Sequence, residues 1–432
     1  GLFAPLILIL LIIIQSIVPI IPGEVLVVLG GAVFGPVKGS TYTLIGYAIG
    51  ISIVFAIARL SKKSTIEKFM DKEDLDLILC IAPQSIHWLI GTRAKSFQEF
   101  QCLFFTREPG PLTMLMRLAE VLEYTEQSLA EDIRGWGGRE PQDPIDAVKA
   151  IMEEKGFFKH RIGLEVPYYY LGPYDYIKLK DLLKDCAVKE VPFLIEDLKL
   201  AKSPAEIAYI RKASDIADAA FQTGLDTLAE GKTELEVAAE MHRTLMALGS
   251  DASASPMNFV SGERIVYPHG FPTERKLQQG DDINIEYSGC YKRYHCTVGR
   301  QLCLGKARPR VKEVYKVVRE ACDLCIAEMK PGVPMVKPHE AAKKVIAYAG
   351  LDSYRLHTTG YGIGPGYPPS WGENNHLFAD SKYILEPGMV VSIEPPVYIN
   401  EERVGVRIID DVLISETGAE ILSKTSRDLI EL

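Results

Sequence analysis

The sequence predicts a chain of three parts: an apolar helical segment, an α/β domain, and a larger α+β domain with helices packed on a sheet. Three observations predict this order. The first 59 residues contain one acidic and two basic residues. Short apolar runs then alternate with helix-like segments over residues 60–195, and two long helical patterns precede short strands over residues 196–432. A chain of 432 residues has room for two or three domains.

The first segment, residues 1–59, predicts contact with a membrane. Residues 2–22 carry no charged side chain, and an apolar run of this length can span a bilayer. A second apolar run covers residues 40–58, and the Pro-Gly-Glu sequence at 22–24 predicts a re-entrant segment between the two runs. Lys62 and Lys63 follow the second run and favour a cytoplasmic position for the rest of the chain.

Glycines and prolines punctuate this first segment in a recognisable pattern. The pattern PGEVLVVLGGAVFGPVKG, followed by GYAIG and FAIAR, resembles the opening part of the DedA/SNARE-associated membrane-protein family over about residues 15–59. The resemblance implies a helical membrane segment. Two interpretations stay open: a truncated remnant or fusion, or an anchor that holds a cytoplasmic catalytic part at a membrane.

Residues 60–195 predict the α/β domain. Apolar runs at 76–82, 103–105 and 162–166 have the length of buried strands. Helix-like segments at 64–72 and 144–155 precede the first and the last of them. Strands that alternate with helices are typical of this class of domain.

Residues 196–432 predict the α+β domain. Ser203 is a suitable N-cap, Pro204 occupies the first helical position, and Glu206 completes a capping box. Thr233 and Glu236 open a second helix in the same way. Short strands and turns follow, so we expect helices on one side of a sheet.

Charge and cysteine content exclude some classes of function. The net charge of −9, without a basic stripe, makes nucleic acid an unsuitable partner. Cys322 and Cys325 form a CxxC pair within an apolar-periodic helix, and there is no second pair. We therefore expect buried thiols there rather than a zinc site.

Five short motifs follow one another in an order and spacing that resemble the creatinase/prolidase family. They cover residues 285–289, 295–300, 360–364, 392–395 and 406–410. Where metal-binding members carry Asp, Asp, His, Glu and Glu, this chain has Glu286, Thr297, Tyr361, Glu394 and Ile409. A divalent cation needs several anionic or imidazole ligands, so this set predicts no metal and no other cofactor.

The resemblance extends over about residues 60–432. It includes the sequences KLAKSPAEI at 199–207, YPHG at 267–270 and LEPGM at 385–389. It implies a pita-bread fold for residues 196–432 behind a creatinase-type N-terminal domain at 60–195. It also implies a homodimer in which the N-terminal domain reaches into the partner's site.

Glu286, Glu394 and His269 are the candidate catalytic residues. Glu286 alternates with apolar neighbours on a strand, which allows either a solvated carboxylate or, by the resemblance, one that faces the cavity. Glu394 follows the apolar run VVSI, and a charge there has to be paired or used. His269 lies in a turn-rich loop at the family's substrate-site position.

Two carboxylates and a histidine suit a substrate that is itself an electrophilic cation, such as an amidinium. The stretch GYGIGPGYPPSWGEN at 360–374 resembles ectoine hydrolases. That resemblance implies hydrolysis of the ectoine ring to N-acetyl-diaminobutyrate without a metal. Glu286 would attack or anchor the ring carbon, Glu394 would hold the amidinium, and His269 would transfer the proton.

Further residues are candidates for substrate contact. Tyr361 and Trp371 flank the glycine-rich stretch, and Trp88 either packs in a core or contacts substrate, in trans in a dimer. A substrate carboxylate needs a cation, for which Arg93 and Arg300 are equal candidates.

Other functions stay open. A creatinase-like amidinohydrolase fits less well, because creatinases keep a His at position 361 and an Arg where Gly372 stands. The remaining alternatives are an Xaa-Pro aminopeptidase-like metallopeptidase and a catalytically inactive binding protein.

Overall fold

A computed structural model describes residues 3–17 and 23–432, with side chains except at 16–17, 23–24 and 51–65. The chain divides into two compact units. The first contains the residues up to Leu77 together with Thr106–Pro109. The second contains Ile78–Phe105 and Gly110–Leu432.

The first unit is helical. It contains α1 (Ala4–Ile17), α2 (Gly23–Phe34) and α3 (Pro36–Glu73). Both short helices pack on α3 around the buried side chains of Leu8, Ile12 and Leu26. Gly39 allows the close approach of α2 and α3, since a Cβ there would lie 2.4 Å from the carbonyl oxygen of Gly30.

The prediction of membrane-spanning runs differs from this structure. Within the described part of the chain, no helix is both long and apolar enough to cross a membrane. Residues 2–22, read as one continuous run, contain the 14-residue helix α1, and residues 18–22 lie outside the described residues. The side chains of Lys62 and Lys63 are likewise outside them.

A six-stranded mixed sheet follows along the chain, and all its residues except Leu77 and Thr106 belong to the second unit. Its strands are β1 (Leu77–Cys80), β2 (Cys102–Thr106), β3 (Thr113–Arg117), β4 (Asp132–Trp136), β5 (Ile162–Leu164) and β6 (Val188–Glu190). They are ordered β4-β3-β2-β1-β5-β6 across the sheet. The accompanying helices are α4 (Pro83–Ile90), α5 (Val121–Gln127), α6 (Pro144–Lys155), α7 (Pro173–Leu182) and α8 (Leu194–Leu198). The α/β class predicted for this region is confirmed.

The rest of the second unit has four long helices beside a large sheet. The helices are α9 (Pro204–Thr227), α10 (Glu234–Ala247), α11 (Pro309–Ala327) and α12 (Val336–Tyr348). The strands are β7 (Asn258–Ser261), β8 (Asp282–Tyr291), β9 (Tyr294–Cys303), β10 (Gly360–Tyr367), β11 (Ser370–His376), β12 (Val390–Ile393), β13 (Val397–Ile399), β14 (Val404–Val406), β15 (Ile409–Ser415), β16 (Gly418–Ile421) and β17 (Ile430–Glu431). The main sheet runs β11-β10-β12-β15-β9-β8-β7, so the α+β class is confirmed.

Local signals in the sequence explain where α9 and α10 begin. At the start of α9, the backbone N–H of Ser203 donates to Glu206 at 2.9 Å, and the Ser203 hydroxyl caps the helix. Thr233 and Glu236 form the same capping box at α10. Cys322 and Cys325 are free, buried thiols on α11, as expected from their periodicity.

Strand register brings the sequence motifs together on one face of the main sheet. Glu286 on β8 lies opposite Gly299 on β9, two residues beyond Thr297. Tyr361 on β10 lies opposite Ser392 on β12, which leads directly to Glu394. Because side chains alternate along a strand, this register predicts which of them share a face.

Candidate functional site

Glu394 is a buried carboxyl group at the end of β12. Its side chain is 1% exposed, and neither carboxylate oxygen has a hydrogen-bond partner within the described residues. The Nδ1 atom of His357 lies 3.6 Å from Oε1. Burial first, and then the charge of Glu286, raise the pKa of Glu394 well above its usual value. The shift favours the protonated form of this carboxyl group.

Glu286 is held by an ion pair with Arg407. Its Oε2 atom accepts hydrogen bonds from Nη2 of Arg407 and, at 2.6 Å, from Nδ2 of Asn258. Arg407 also donates to the carbonyl oxygen of Pro268 at 2.9 Å. Burial alone would lower the pKa of Arg407, but the carboxylates of Glu286 and Glu394 raise it above its usual value. Arg407 therefore carries its positive charge beside Glu286.

Arg407 has hydrogen-bonding capacity left over. Its Nε and Nη1 atoms are buried and have no partner among the described residues. A buried donor without an acceptor costs about 1–3 kcal/mol. The guanidinium can therefore donate hydrogen bonds to a ligand oxygen without giving up its bond to Glu286.

Two histidines lie next to these carboxylates. The rings of His269 and His357 are 5.2 Å apart between centroids. Burial and the charge of Arg407 lower the pKa of His269, against the opposing effect of Glu286. The same two causes lower the pKa of His357 to about 4. Both rings are neutral at pH 7 and can accept a proton.

Tyr361 and Trp371 form one wall of the site. Nε1 of Trp371 donates to the Tyr361 hydroxyl at 3.1 Å. Burial, followed by the charges of Glu394 and Glu286, raises the pKa of Tyr361 well above its usual value. The phenol stays protonated and is a hydrogen-bond donor rather than a metal ligand.

Thr297 interacts with a buried carboxyl group that the sequence did not single out. Its N–H and hydroxyl donate to the two oxygens of Asp411 at 2.6 and 2.5 Å. Burial raises the pKa of Asp411 to about 7, although the bonds from Thr297 act in the opposite direction. Both carboxylate oxygens of Asp411 therefore already accept hydrogen bonds from Thr297.

Arg300 and Arg93 do not join the cluster that contains Glu286 and Glu394. Arg300 is paired with Ile285 in the strand register, so it lies on the sheet face opposite to Glu286, where it binds Asp410 at 2.8 Å. Arg93 is 44% exposed, lies 3.3 Å from Asp251 and lines a cavity of about 530 Å³.

Trp88 is buried in α4 and 8% exposed, which agrees with core packing. Its contact with substrate in trans stays a prediction. The predicted residues that the structure brings together are Glu286, Glu394, His269, Tyr361 and Trp371.

Arg407 and His357 belong to the site but were not among the residues predicted from the sequence. Arg407 is a charged residue inside the apolar sequence VGVRII at 404–409, the same signal that identified Glu394. His357 gave no such signal, because it precedes β10 in an irregular segment.

Comparisons with known proteins identify the family. Residues 208–416 match Metallopeptidase family M24, residues 63–200 match the Creatinase/Prolidase N-terminal domain, and residues 21–80 match the VTT domain. An uncharacterized peptidase of Bacillus subtilis is 33% identical over 72% of this chain and 85% of its own length. The chain belongs to metallopeptidase family M24.

Other relatives carry more specific names. The Xaa-Pro dipeptidase of Pyrococcus horikoshii is 29% identical over 85% of this chain and 98% of its own. Among solved structures, an Xaa-Pro dipeptidase from Bacillus anthracis has a TM-score of 0.76 at 26% identity and covers 87% of this chain and 100% of its own. The pita-bread fold with a creatinase-type N-terminal domain is confirmed, and so is the general class of hydrolase.

The prediction of metal-independent ectoine hydrolysis is wrong. It depended on the local stretch at 360–374, whereas the comparisons span most of the chain and match Xaa-Pro dipeptidases within a metallopeptidase family. The amidine substrate has no support in these relatives.

The donor set of this M24 site nevertheless does not fit the metal centre that the family description implies. Glu286 is bonded to Arg407, burial raises the pKa of Glu394 well above its usual value, and the side chain of Ile409 has no donor atom. Within the described residues, no group of three or more His, Cys, Asp or Glu side chains could hold a metal ion. No chemical step is therefore assigned to a metal here.

Proposed function

We propose that this M24 chain hydrolyses the amide bond of a small peptide, with dipeptides of the Xaa-Pro type as the substrate class. The observation that supports it best is the buried Glu394 carboxyl, whose Oε1 atom lies 3.6 Å from Nδ1 of His357 and whose pKa is raised by burial. The names of the relatives support the choice of a peptide.

The residues of the site can supply each proton transfer. Water adds its hydroxyl to the carbonyl carbon and loses a proton to the neutral ring of His357 or His269. Glu394 donates its proton to the nitrogen that leaves as the amine. The products are a free carboxyl group and a free amine, so the atoms of water are accounted for.

Arg407 is the proposed anchor for an oxygen of the substrate. Its Nη2 atom binds Glu286, and its Nε and Nη1 atoms have no partner among the described residues. These two donors would stabilise a carboxylate or a developing oxyanion through charge-assisted hydrogen bonds. This role replaces the one predicted for Arg93 and Arg300, which lie elsewhere.

A panel of substrates tests the proposal. The full chain is incubated with Ala-Pro, Gly-Pro and Ala-Ala, in chelator and in added manganese, zinc or cobalt, and the products are followed by NMR. Release of proline from an Xaa-Pro peptide supports the proposal. Intact peptides under every metal condition would reject it.

A catalytically inactive binding protein is the second candidate. It is favoured by Thr297, Tyr361 and Ile409 at three of the five ligand positions. Calorimetry with product analysis separates the two candidates. An inactive binding protein should release heat on binding a dipeptide and form no product.

The organisation of the chain is part of the proposal. We place the domain boundaries at 1–59, 60–195 and 196–432, expect a homodimer, and expect a cytoplasmic catalytic part that the first segment associates with a membrane. The match of residues 21–80 to the VTT domain supports the membrane association. Full-length protein that stays in the supernatant after membranes are pelleted without detergent would contradict it.

A further inference from the structure

A cavity of about 230 Å³ next to Tyr361 has a wall of aromatic side chains. Tyr168, Tyr169, Tyr170 and Tyr361 line it, together with His376, whose ring is 5.9 Å from that of Tyr361. We call this cavity the tyrosine pocket. It shares the ring of Tyr361 with the site that contains Glu394.

The tyrosine pocket depends on a glycine. Gly372 lines it, and a Cβ at this position would lie 3.1 and 3.3 Å from two ring carbons of Tyr361. Any larger side chain at 372 would fill the pocket or displace the ring. The absence of a side chain therefore keeps the pocket open.

The loop that carries the other tyrosines is held in a strained conformation. Tyr170 has a φ of 75°, which bulky residues rarely adopt, and its hydroxyl donates to the carbonyl oxygen of Tyr367 at 3.0 Å. Tyr168 is 76% exposed and Tyr169 is 50% exposed. The structure thus fixes Tyr170 and leaves two aromatic rings available at the mouth of the pocket.

The two carboxyl groups that line the pocket already have protein partners. Glu373 is bonded to the buried lysines Lys199, at 3.3 Å, and Lys202. Glu196 accepts hydrogen bonds from Gln84 and Asn374, and burial raises its pKa. A cationic ligand would find no free carboxylate here, whereas an uncharged ring meets tyrosine faces.

We propose that the tyrosine pocket binds an aromatic side chain on the first residue of a dipeptide. The proposal depends on the proposed function in that the ligand is a peptide whose bond lies near Glu394. Ring-on-ring contact with several tyrosines should strengthen binding about tenfold over an alanine side chain. The pocket then favours dipeptides with an aromatic first residue over other dipeptides that undergo the same hydrolysis.

Binding and hydrolysis of Phe-Pro and Ala-Pro, measured on the full chain, test this inference. We expect Phe-Pro to bind about tenfold more tightly than Ala-Pro. In Tyr169→Ala and Gly372→Leu this preference should fall to about twofold or less, and in Tyr169→Ala the affinity for Ala-Pro should stay unchanged. The control is Tyr174→Ala, which removes an exposed tyrosine outside the pocket and should keep the preference.

The outcomes separate the pocket from the catalytic proposal. A preference for Phe-Pro in binding, without any hydrolysis, supports the pocket and rejects the proposed function. Hydrolysis of both peptides without a preference rejects the pocket alone. Equal affinities in the wild type, no binding of either peptide, or a preference that survives both variants would each overturn the inference.

Discussion

Arg407 binds Glu286 through its Nη2 atom, and both side chains are nearly inaccessible, at 2% and 4% exposed. Glu286 stands at the first ligand position of the family's metal motif. In this chain a guanidinium thus neutralises a carboxylate that a metal would otherwise share. The ion pair also leaves two donors of Arg407 unused, which is why it is the proposed anchor for a substrate oxygen.

The ion pair between Glu286 and Arg407 predicts strong energetic coupling. Glu286→Gln or Arg407→Met should each destabilise the fold by about 3–5 kcal/mol, because each leaves a buried charge unpaired. The double variant should lose clearly less than the sum. Urea unfolding measures this cycle. The exposed pair of Arg211 and Glu420 is the control, with about 0–1 kcal/mol expected, and equal coupling in both pairs would contradict the assignment.

Arg300 and Arg407 should differ in their effect on ligand binding. Both are buried in ion pairs, but Arg300 lies on the opposite face of the sheet. Arg407→Lys should weaken the binding of Ala-Pro about tenfold or more, whereas Arg300→Lys should lower stability and leave affinity unchanged. Calorimetry on both variants decides this, and a loss of affinity confined to Arg300→Lys would reverse the roles.

The pH dependence of hydrolysis should report His357. Its pKa is lowered to about 4, so the ring stays an unprotonated base over most of the acidic range. We expect kcat/KM to fall only as pH drops through about 4 to 5, and not near the usual histidine value. A profile from pH 3.5 to 8 tests this, with His242→Gln on α10 as a control that should leave the profile unchanged. An acidic limb near 6.5 would exclude His357 as the base.

The stability of the fold should decrease as pH rises toward neutrality, owing to Asp411. Its pKa is about 7 in the folded chain, against an ordinary value of 3.8, so the folded state retains a proton that the unfolded state has lost. The folded state binds more protons between these values, and stability falls across that window. Thr297→Val removes a hydrogen bond to this carboxyl and should cost about 1–3 kcal/mol. Urea unfolding at pH 5 and 8 measures both effects, and Thr417→Val, on an exposed turn, should change neither.

Much of the fold could be predicted from local sequence signals. Ser203 with Glu206, and Thr233 with Glu236, begin their helices through contacts within four residues, so no distant information is needed. The helix bounds in the first segment were harder to predict. The length of an apolar run does not show at which residue a helix ends.

The site could be predicted only in part, because strand register was unknown. Glu286 and Glu394 were found as charges in apolar strands, and Arg407 meets the same criterion at VGVRII. Arg300 was chosen as a ligand for the substrate carboxylate before its pairing with Ile285 was known. That pairing places its side chain on the sheet face opposite to Glu286. Which charges meet across the sheet is decided by long-range pairing.

Hydrolysis of Ala-Pro by the wild type and by Glu394→Gln is the most direct measurement of the central claim. Both full-length proteins would be followed by NMR under the metal condition that supports the fastest release of proline. We expect the wild type to release proline and the variant to be at least about a hundredfold slower with unchanged folding, since glutamine cannot donate the carboxyl proton. Equal rates in the two proteins would contradict the account.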